Sequence, residues 1–463
     1  MSRYAIRLRN DGFMAAASDE AYDFGTGDFT VEAWVHPQSA GTLVARKGSA
    51  GGGGNGGWLL VLRADGSIKL ATDNGFGFYE LDSAPTALLS AGGWHHVAGV
   101  RRDGELALFL DGLALQGTVR GTGESPLNVD NALRVTVGAT DQQQEPDNHL
   151  AGMVGPVRLW GVARSQEQIL QSMFRGVEPG AEGLVADWAL ARPNGADLSP
   201  TRNPLSRQGD ARFVQPGAPQ QGGTGSWALA LQGEGSMDAR ANAAYDFGAG
   251  DFTLEAWIAP QGPGTVVSRK GTDGGAGNGG WLLVLNGDGS LKLATDNGFG
   301  YFQAVSAPTG VLAGGWHHVA GVRRKGQLAL YLNGLPLQAT SSGNAKPPLN
   351  VDNALPLRVG ATDQRQEPFN HFSGEIGRVR VWGVARTQAQ LTAGVYGAVP
   401  GDARGLVGEW TFDRRNGHDS SPTGNPLVRR GRARFVRPGA PRLAAPIAVA
   451  PVRPAPDEEP VPA

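Results

Sequence analysis

The sequence predicts two tandem all-β domains, each a two-sheet antiparallel β-sandwich with one short helix. Three observations carry that expectation. Apolar and polar residues alternate with a period of two through most of the chain. Asp-Gly and Asn-Gly turns punctuate the alternating stretches. The whole pattern occurs twice: "AYDFGTGDFTVEAWVHP" from Ala21 returns as "AYDFGAGDFTLEAWIAP" from Ala244, at an offset of 223 early and 222 later.

Within each copy the strands follow in order. "FTVEAWV", "WLLVLRADGSIKLAT", "WHHVAGV", "LALFLDG" and "VRLWGV" alternate, and their breaks hold Gly, Asp and Asn. "RADGS" from Arg63 and "TDNGF" from Thr72 are hairpin turns. One helix is expected in "ARSQEQILQSMF" from Ala163 and its twin "ARTQAQLTAGVY", with Ser165 and Thr387 as N-caps. The expected domains are residues 1–220 and 221–440, joined through "VQPGAPQQGGTGS" from Val214. A Pro/Ala-rich tail, 441–463, has too few apolar residues to bury a core and is expected to be disordered.

Composition excludes several function classes. A net charge of -2 without a basic block disfavours nucleic acid and anionic membrane as partners. The chain has no cysteine, which excludes disulfides, thiolate metal sites and cysteine catalysis. Glycine, 71 of 463 residues, is about twice its usual share and clusters in turns. No run of about 18 apolar residues predicts a membrane span. "MSRYAIRLRN" lacks an apolar signal region, so the expectation is a cytoplasmic protein or one exported without such a signal.

The segments "GDFTVEAWV", "GGWHHVAGV", "LALFLDG", "GPVRLWGVARSQEQI" and "GLVADWAL", in this order and twice over, resemble the laminin-G-like, concanavalin-A-like jelly-roll family. The resemblance covers residues 1 to about 440 and implies a jelly-roll sandwich. For function it implies glycan-binding lectins, adhesion modules, pentraxin-like proteins or accessory domains of glycosidases. Two departures stand out. Gly155 and Gly377 occupy a position where the family often has Asp, and "RNDG" and "QGEG" replace an F-D-G, keeping an acid as Asp11 and Glu234. Both bear on the calcium site that many members hold on acidic loops.

Two polar segments are the candidate sites. From Asn128, "NVDNALRVTVGATDQQQEPDNH" matches its twin at 17 of 22 positions, whereas "YAIRLRNDGFMAAAS" from Tyr4 matches its twin at only five of fifteen. The loop holds Asp141, Gln144, Glu145, Asn148 and His149, repeated as Asp363, Gln366, Glu367, Asn370 and His371. Such carboxylate and amide oxygens suit sugar hydroxyls, and calcium at Asp141, Glu145, Asp363 and Glu367. The bland alternative is a loop that caps its own backbone. "NVDN" reads equally as an Asx turn. The second candidate is Asp73, Asn74 and Phe76, repeated as Asp296, Asn297 and Phe299, where a ring beside polar groups suits a sugar and Asn-Gly alone would suit a turn.

The remaining motifs favour structure. The glycine-rich "RKGSAGGGGNGGW" from Arg46 lacks the phosphate-loop pattern and reads as a hairpin loop. His95 and His96, like His317 and His318, alternate along a strand and so cannot share one metal. The recurring tryptophans read as core. No E-x-D-x-x-E run offers the paired carboxylates of a retaining glycosidase. The expected function is a non-catalytic tandem module, binding glycans or a glycosylated cell-surface partner with avidity and calcium assistance. The alternatives are a structural protein of a surface or tail-like assembly and, behind it, a glycoside hydrolase.

Overall fold

In a computed structural model the described residues are 3–48, 56–142, 145–220, 226–271, 278–364 and 367–443. Each copy folds into two antiparallel sheets packed face to face, as the alternation predicts. In the first copy one sheet runs, in spatial order, Leu113–Ala114, Glu105–Leu110, His95–Arg102, Phe29–Pro37, Gly152–Trp160, Ala5–Leu8 and Ala211–Val214. Leu184–Trp188 shares an edge of Gly152–Trp160 with Ala5–Leu8. The facing sheet runs Gly117–Gly121, Phe78–Ser83, Ile68–Asp73, Gly57–Leu62, Gly41–Lys47, Val135–Val137, Phe13–Ala16 and Ser206–Gln208. The second copy repeats both orders from Ala228 to Val436.

The strand Phe29–Pro37 shows how period-two sequence becomes core. Phe29, Val31, Ala33 and Val35 point between the sheets, where they meet Trp58, Leu60 and Leu70. The opposite face carries Thr30, Glu32 and Trp34, and these are buried as well. The helix Gln166–Ser172 covers part of that outer face; Ser165 caps it, receiving the Gln168 N–H while the Gln168 side chain accepts from the Ser165 N–H. Thr387 and Gln390 repeat the box at the helix Gln388–Tyr396.

Beneath the helix lies a buried ionic network. Glu32 Oε1 accepts from Trp160 Nε1 at 2.7 Å and from Arg164 Nη1 at 3.0 Å, and His96 Nε2 lies 3.3 Å from Oε2. Arg158 pairs with Asp187, and in the second copy Arg380 pairs with Glu409. Burial alone would push the Glu32 carboxyl up; His96 and then Arg164 more than offset it, and the group is held down at about 2. Glu255 shifts in the same direction beside His318. His95 instead faces Asp111 at 2.9 Å, so the two histidines of each pair serve different clusters.

The rest of the outer face forms a seam between the copies. Trp34 packs on its own Phe174 (5.2 Å between centroids) and on Tyr396 of the second copy (6.1 Å). Trp257 packs on its own Tyr396 (5.3 Å) and on Phe174 of the first (6.2 Å). Each indole N–H is taken by a carbonyl of its own copy's helical segment, Met173 or Val395. Trp94, Trp316, Ala5, Ala228 and Ala218 complete the cluster. Across the seam the linker and the closing segment pair through Gln220 and Arg442.

The seam accounts for the departures at Gly155 and Gly377. The register of Gly152–Trp160 against Phe29–Pro37 shifts between Val154 and Val157. A Cβ on Gly155 would fall 2.5 Å from the Ala218 Cβ and 2.8 Å from the Trp34 Cβ; one on Gly377 would fall 2.5 Å from the Ala440 Cβ. An Asp has no room at either position.

Two outcomes follow. Tyr396→Ala is expected to cost about 3–5 kcal/mol and to split a single calorimetric unfolding transition into two, one per copy; an unchanged single transition would show that the copies are not coupled through these rings. Glu32 carries stability that is complete above its unfolded pKa of about 4.3 and is lost as pH falls through about 2. Glu32→Gln, which strips a charge from a buried network, is expected to cost about 3–5 kcal/mol at neutral pH and to flatten the acid dependence of the unfolding midpoint below pH 4.

Candidate functional site

The polar loop after Val135–Val137 is a small hairpin. Thr140–Gln142 pairs with Glu145–Asp147, setting Asp141 opposite Pro146 and Gln142 opposite Glu145. Both Asp141 oxygens face Arg134, at 2.9 Å to Nε and 3.2 Å to Nη2, and the carboxylate is buried. Asn148 takes a positive φ of 52° and donates from Nδ2 to Thr42 Oγ1, itself 2.6 Å from Thr140 Oγ1. The His149 ring stands edge-on to Phe13. In the second copy Asn370 donates to Thr265 in the same way, and His371 Nδ1 lies 3.2 Å from the Gly235 carbonyl oxygen. Gln144 and Gln366 lie outside the described residues, as do the side chains of Glu145, Asp363 and Glu367.

These contacts bear on the calcium expectation at Asp141, whose carboxylate a bidentate guanidinium already neutralises in a buried setting. No cluster of three or more His, Asp or Glu side chains with metal-holding geometry occurs among the described residues. "NVDN" is likewise turn chemistry. Asn128 Oδ1 accepts from the Asp130 N–H, Asp130 Oδ1 from the Gly25 N–H, and Asn131 bridges the Arg46 and Gly56 carbonyls. At the described positions of this stretch, the polar side chains that the copies share hold backbone and neighbouring groups in place.

The hairpin joining Ile68–Asp73 to Phe78–Ser83 gives a different result. Asp73 Oδ1 accepts from the Gly75 N–H at 2.5 Å, and Oδ2 pairs with Lys47 Nζ at 3.0 Å. Asn74 Oδ1 accepts from the N–H groups of Phe76 and Gly77, while Gly75 supplies the positive φ of 86° that the turn needs. The carboxylate and the amide oxygen are thus used inside the turn. The second copy repeats each bond through Asp296, Asn297 and Lys270. Lys47 and Lys270 were not among the sequence candidates, although each stands in the "RKG" that opens the glycine-rich loop.

What the turn leaves over is the ring. Phe76 is 86% exposed and Phe299 79%, the two most exposed large apolar side chains among the described residues. The amide nitrogens of Asn74 and Asn297, two residues before those rings, donate no described bond. Phe78 and Tyr79 continue the aromatic strip at half-buried positions. Burial, then Glu105 at 3.4 Å, push the Tyr79 hydroxyl up. Each tip therefore offers an apolar ring and an amide donor on a backbone held by three side-chain hydrogen bonds and braced by one ion pair.

The family that the sequence matches agrees with this architecture. A laminin-G-type family model, described as the concanavalin A-like lectin/glucanases superfamily, matches residues 10–170 and 232–392. No curated protein matches the chain. Among solved structures, domains LG4-5 of the mouse laminin alpha1 chain are 14% identical, with a TM-score of 0.29, 82% of this chain and 88% of that one being covered. A heptameric SAP-like pentraxin from Limulus polyphemus is 13% identical at a TM-score of 0.33, covering 47% of this chain and 95% of that one. The CBM40 of the Ruminococcus gnavus IT-sialidase, bound to alpha2,3 sialyllactose, is 14% identical at a TM-score of 0.28, covering 35% and 92%. The family match falls once on each pair of sheets and spans more than half of the sequence, and the chain belongs to the concanavalin A-like lectin/glucanases superfamily.

Proposed function

We propose that the protein is a non-catalytic, tandem carbohydrate-binding protein that meets its glycans at the two hairpin tips of Phe76 and Phe299. The observation that carries this reading is the exposure of those rings at one rigid tip position in both copies. A solvated phenyl ring adds nothing to either core, whereas a sugar offers it an apolar C–H face and offers Asn74 or Asn297 a hydroxyl acceptor. Membership of a superfamily that contains lectins supports the class of ligand.

A catalytic reading finds less support. Glu32 and Glu255, the acids of the "FTVEAWV" and "FTLEAWI" strands, are 1% exposed and neutralised by arginine beneath a helix. Neither is placed to protonate a glycosidic oxygen. Two similar sites on one chain suit multivalent surfaces, where linkage raises weak affinities by about 10² to 10⁴ when geometry permits.

The test is a glycan array probed with the parent chain, Phe76→Ala, Phe299→Ala and the double variant. Each single substitution is expected to weaken binding about tenfold at its own site, roughly 1.4 kcal/mol, and the double variant to lose the avid signal with its unfolding midpoint unchanged. Avid binding that both substitutions leave undiminished overturns the assignment to the tips, and a stable protein partner with no glycan signal favours the structural alternative. Contact at the tips needs no cation, so the signal is expected to persist in EDTA. A signal that disappears with EDTA and returns with calcium would instead move the site to the loops of Glu145 and Glu367.

A further inference from the structure

The seam leaves a groove on one side. A cavity of about 370 Å³ lies between the helical segment of the first copy and the sheet edge of the second. That volume is within the range of small-ligand sites, which favour domain boundaries. Leu170 and Phe174 wall it from the first copy and Trp316 from the second. The approach is close: a Cβ on Gly315 would meet the Leu170 Cδ2 at 2.9 Å. Neither copy alone forms this groove.

Its polar lining is Glu167, Gln171 and Arg175 on the helical side and Gln261, Glu375 and Arg437 on the other. All but the half-buried Glu375 are exposed. Burial pushes the Glu375 carboxyl up, against the pull of Arg175. Arg437 stands 4.0 Å from the Trp227 ring centre, which sets its guanidinium at the rim.

The duplication supplies an internal control. At the twin positions Glu167 becomes Ala389, Gln171 becomes Ala393 and Arg175 becomes Gly397. In the other direction Glu375 corresponds to Met153, and Arg437 to Gln215. The copies pair the same patches across the seam, yet both charged pairs stand on one side of it. Gln171 Nε2 donates to Glu167 Oε1 at 2.8 Å, a bond that the alanines at the twin positions do without while the apolar seam is still built there.

We infer that this groove is a binding site, formed once per chain, for a neutral and hydroxyl-rich ligand, an oligosaccharide segment. Two carboxyl groups and two guanidiniums balance in formal charge, so an ionic ligand gains no net attraction. Carboxylate and amide oxygens accept from vicinal hydroxyls while amide and guanidinium N–H groups donate to them, and Leu170, Phe174 and Trp316, each only 4–6% exposed, leave a narrow apolar floor for the C–H face of a sugar ring. The site does not depend on the hairpin tips.

It is therefore tested in the full-length Phe76→Ala/Phe299→Ala background by isothermal titration with maltohexaose, cellohexaose, mannohexaose and xylohexaose, with hexagalacturonate as the charged control. At least one neutral hexasaccharide is expected to bind with a stoichiometry of one. Installing the twin residues, Glu167→Ala/Gln171→Ala/Arg175→Gly, is expected to weaken that binding tenfold or more, and Gln261→Ala, on the other copy, to weaken it severalfold with an unchanged unfolding midpoint. If no neutral hexasaccharide binds, if only hexagalacturonate binds, or if both groove variants bind as their parent does, the inference is wrong. Loss of binding in the tip variants together with retained one-to-one binding here would separate the two sites.

Discussion

The four-ring contact of Trp34, Phe174, Trp257 and Tyr396 is the constraint on which the rest of the molecule depends. A sandwich sheet ordinarily buries one face and leaves the other to water. Here the outer face of Phe29–Pro37 is covered twice, by a capped helix at one end and by the other copy at the other. The seam explains the alanines and glycines gathered around it, since bulk at Gly155, Gly377 or Ala218 would hold the sheets apart. It also decides which surfaces stay open. The hairpin tips carry the exposed rings, and the groove opens at the margin of the seam.

The burial of charge under the helices follows from the same geometry. Once the outer face is dry, Glu32 and its neighbours must be paired or neutral. The molecule pairs them, with arginine and, in the first copy, with the indole N–H of Trp160; the second copy keeps the arginine pairs, with Glu409 in place of Asp187. Acids fixed in this way hold the helix to the sheet. The tip and loop acids also work structurally: Asp73 closes a turn and Asp141 anchors a hairpin to Arg134. Polar residues shared by the two copies are, at most described positions, the fastenings of loops.

Much of the fold was legible because its signals are local. Alternation placed the strands, Asp-Gly and Asn-Gly placed the hairpins, and Ser165 marked the helix start. The site was less legible, since its decisive contacts join residues that no short motif relates. The Arg134–Asp141 pair depends on a hairpin folding back beside a three-residue strand, so an acidic-amide loop suggestive of calcium proved to have at least one acid already occupied. Phe76 was in view from the start, but only its exposure separates it from the half-buried Phe78 two residues on. The seam was invisible because every tryptophan in it reads equally well as interior core.

The seam has a further consequence in its symmetry. Trp34 meets the patch around Tyr396 as Trp257 meets the patch around Phe174, so each copy presents the same surface to the other and the contact is isologous. An isologous contact closes on itself. A head-to-tail contact would leave an unused face at each end and invite further copies, as in a solenoid or a fibre. Here both adhesive faces are consumed by one pairing, so the seam is satisfied by two copies and presents no open half of itself.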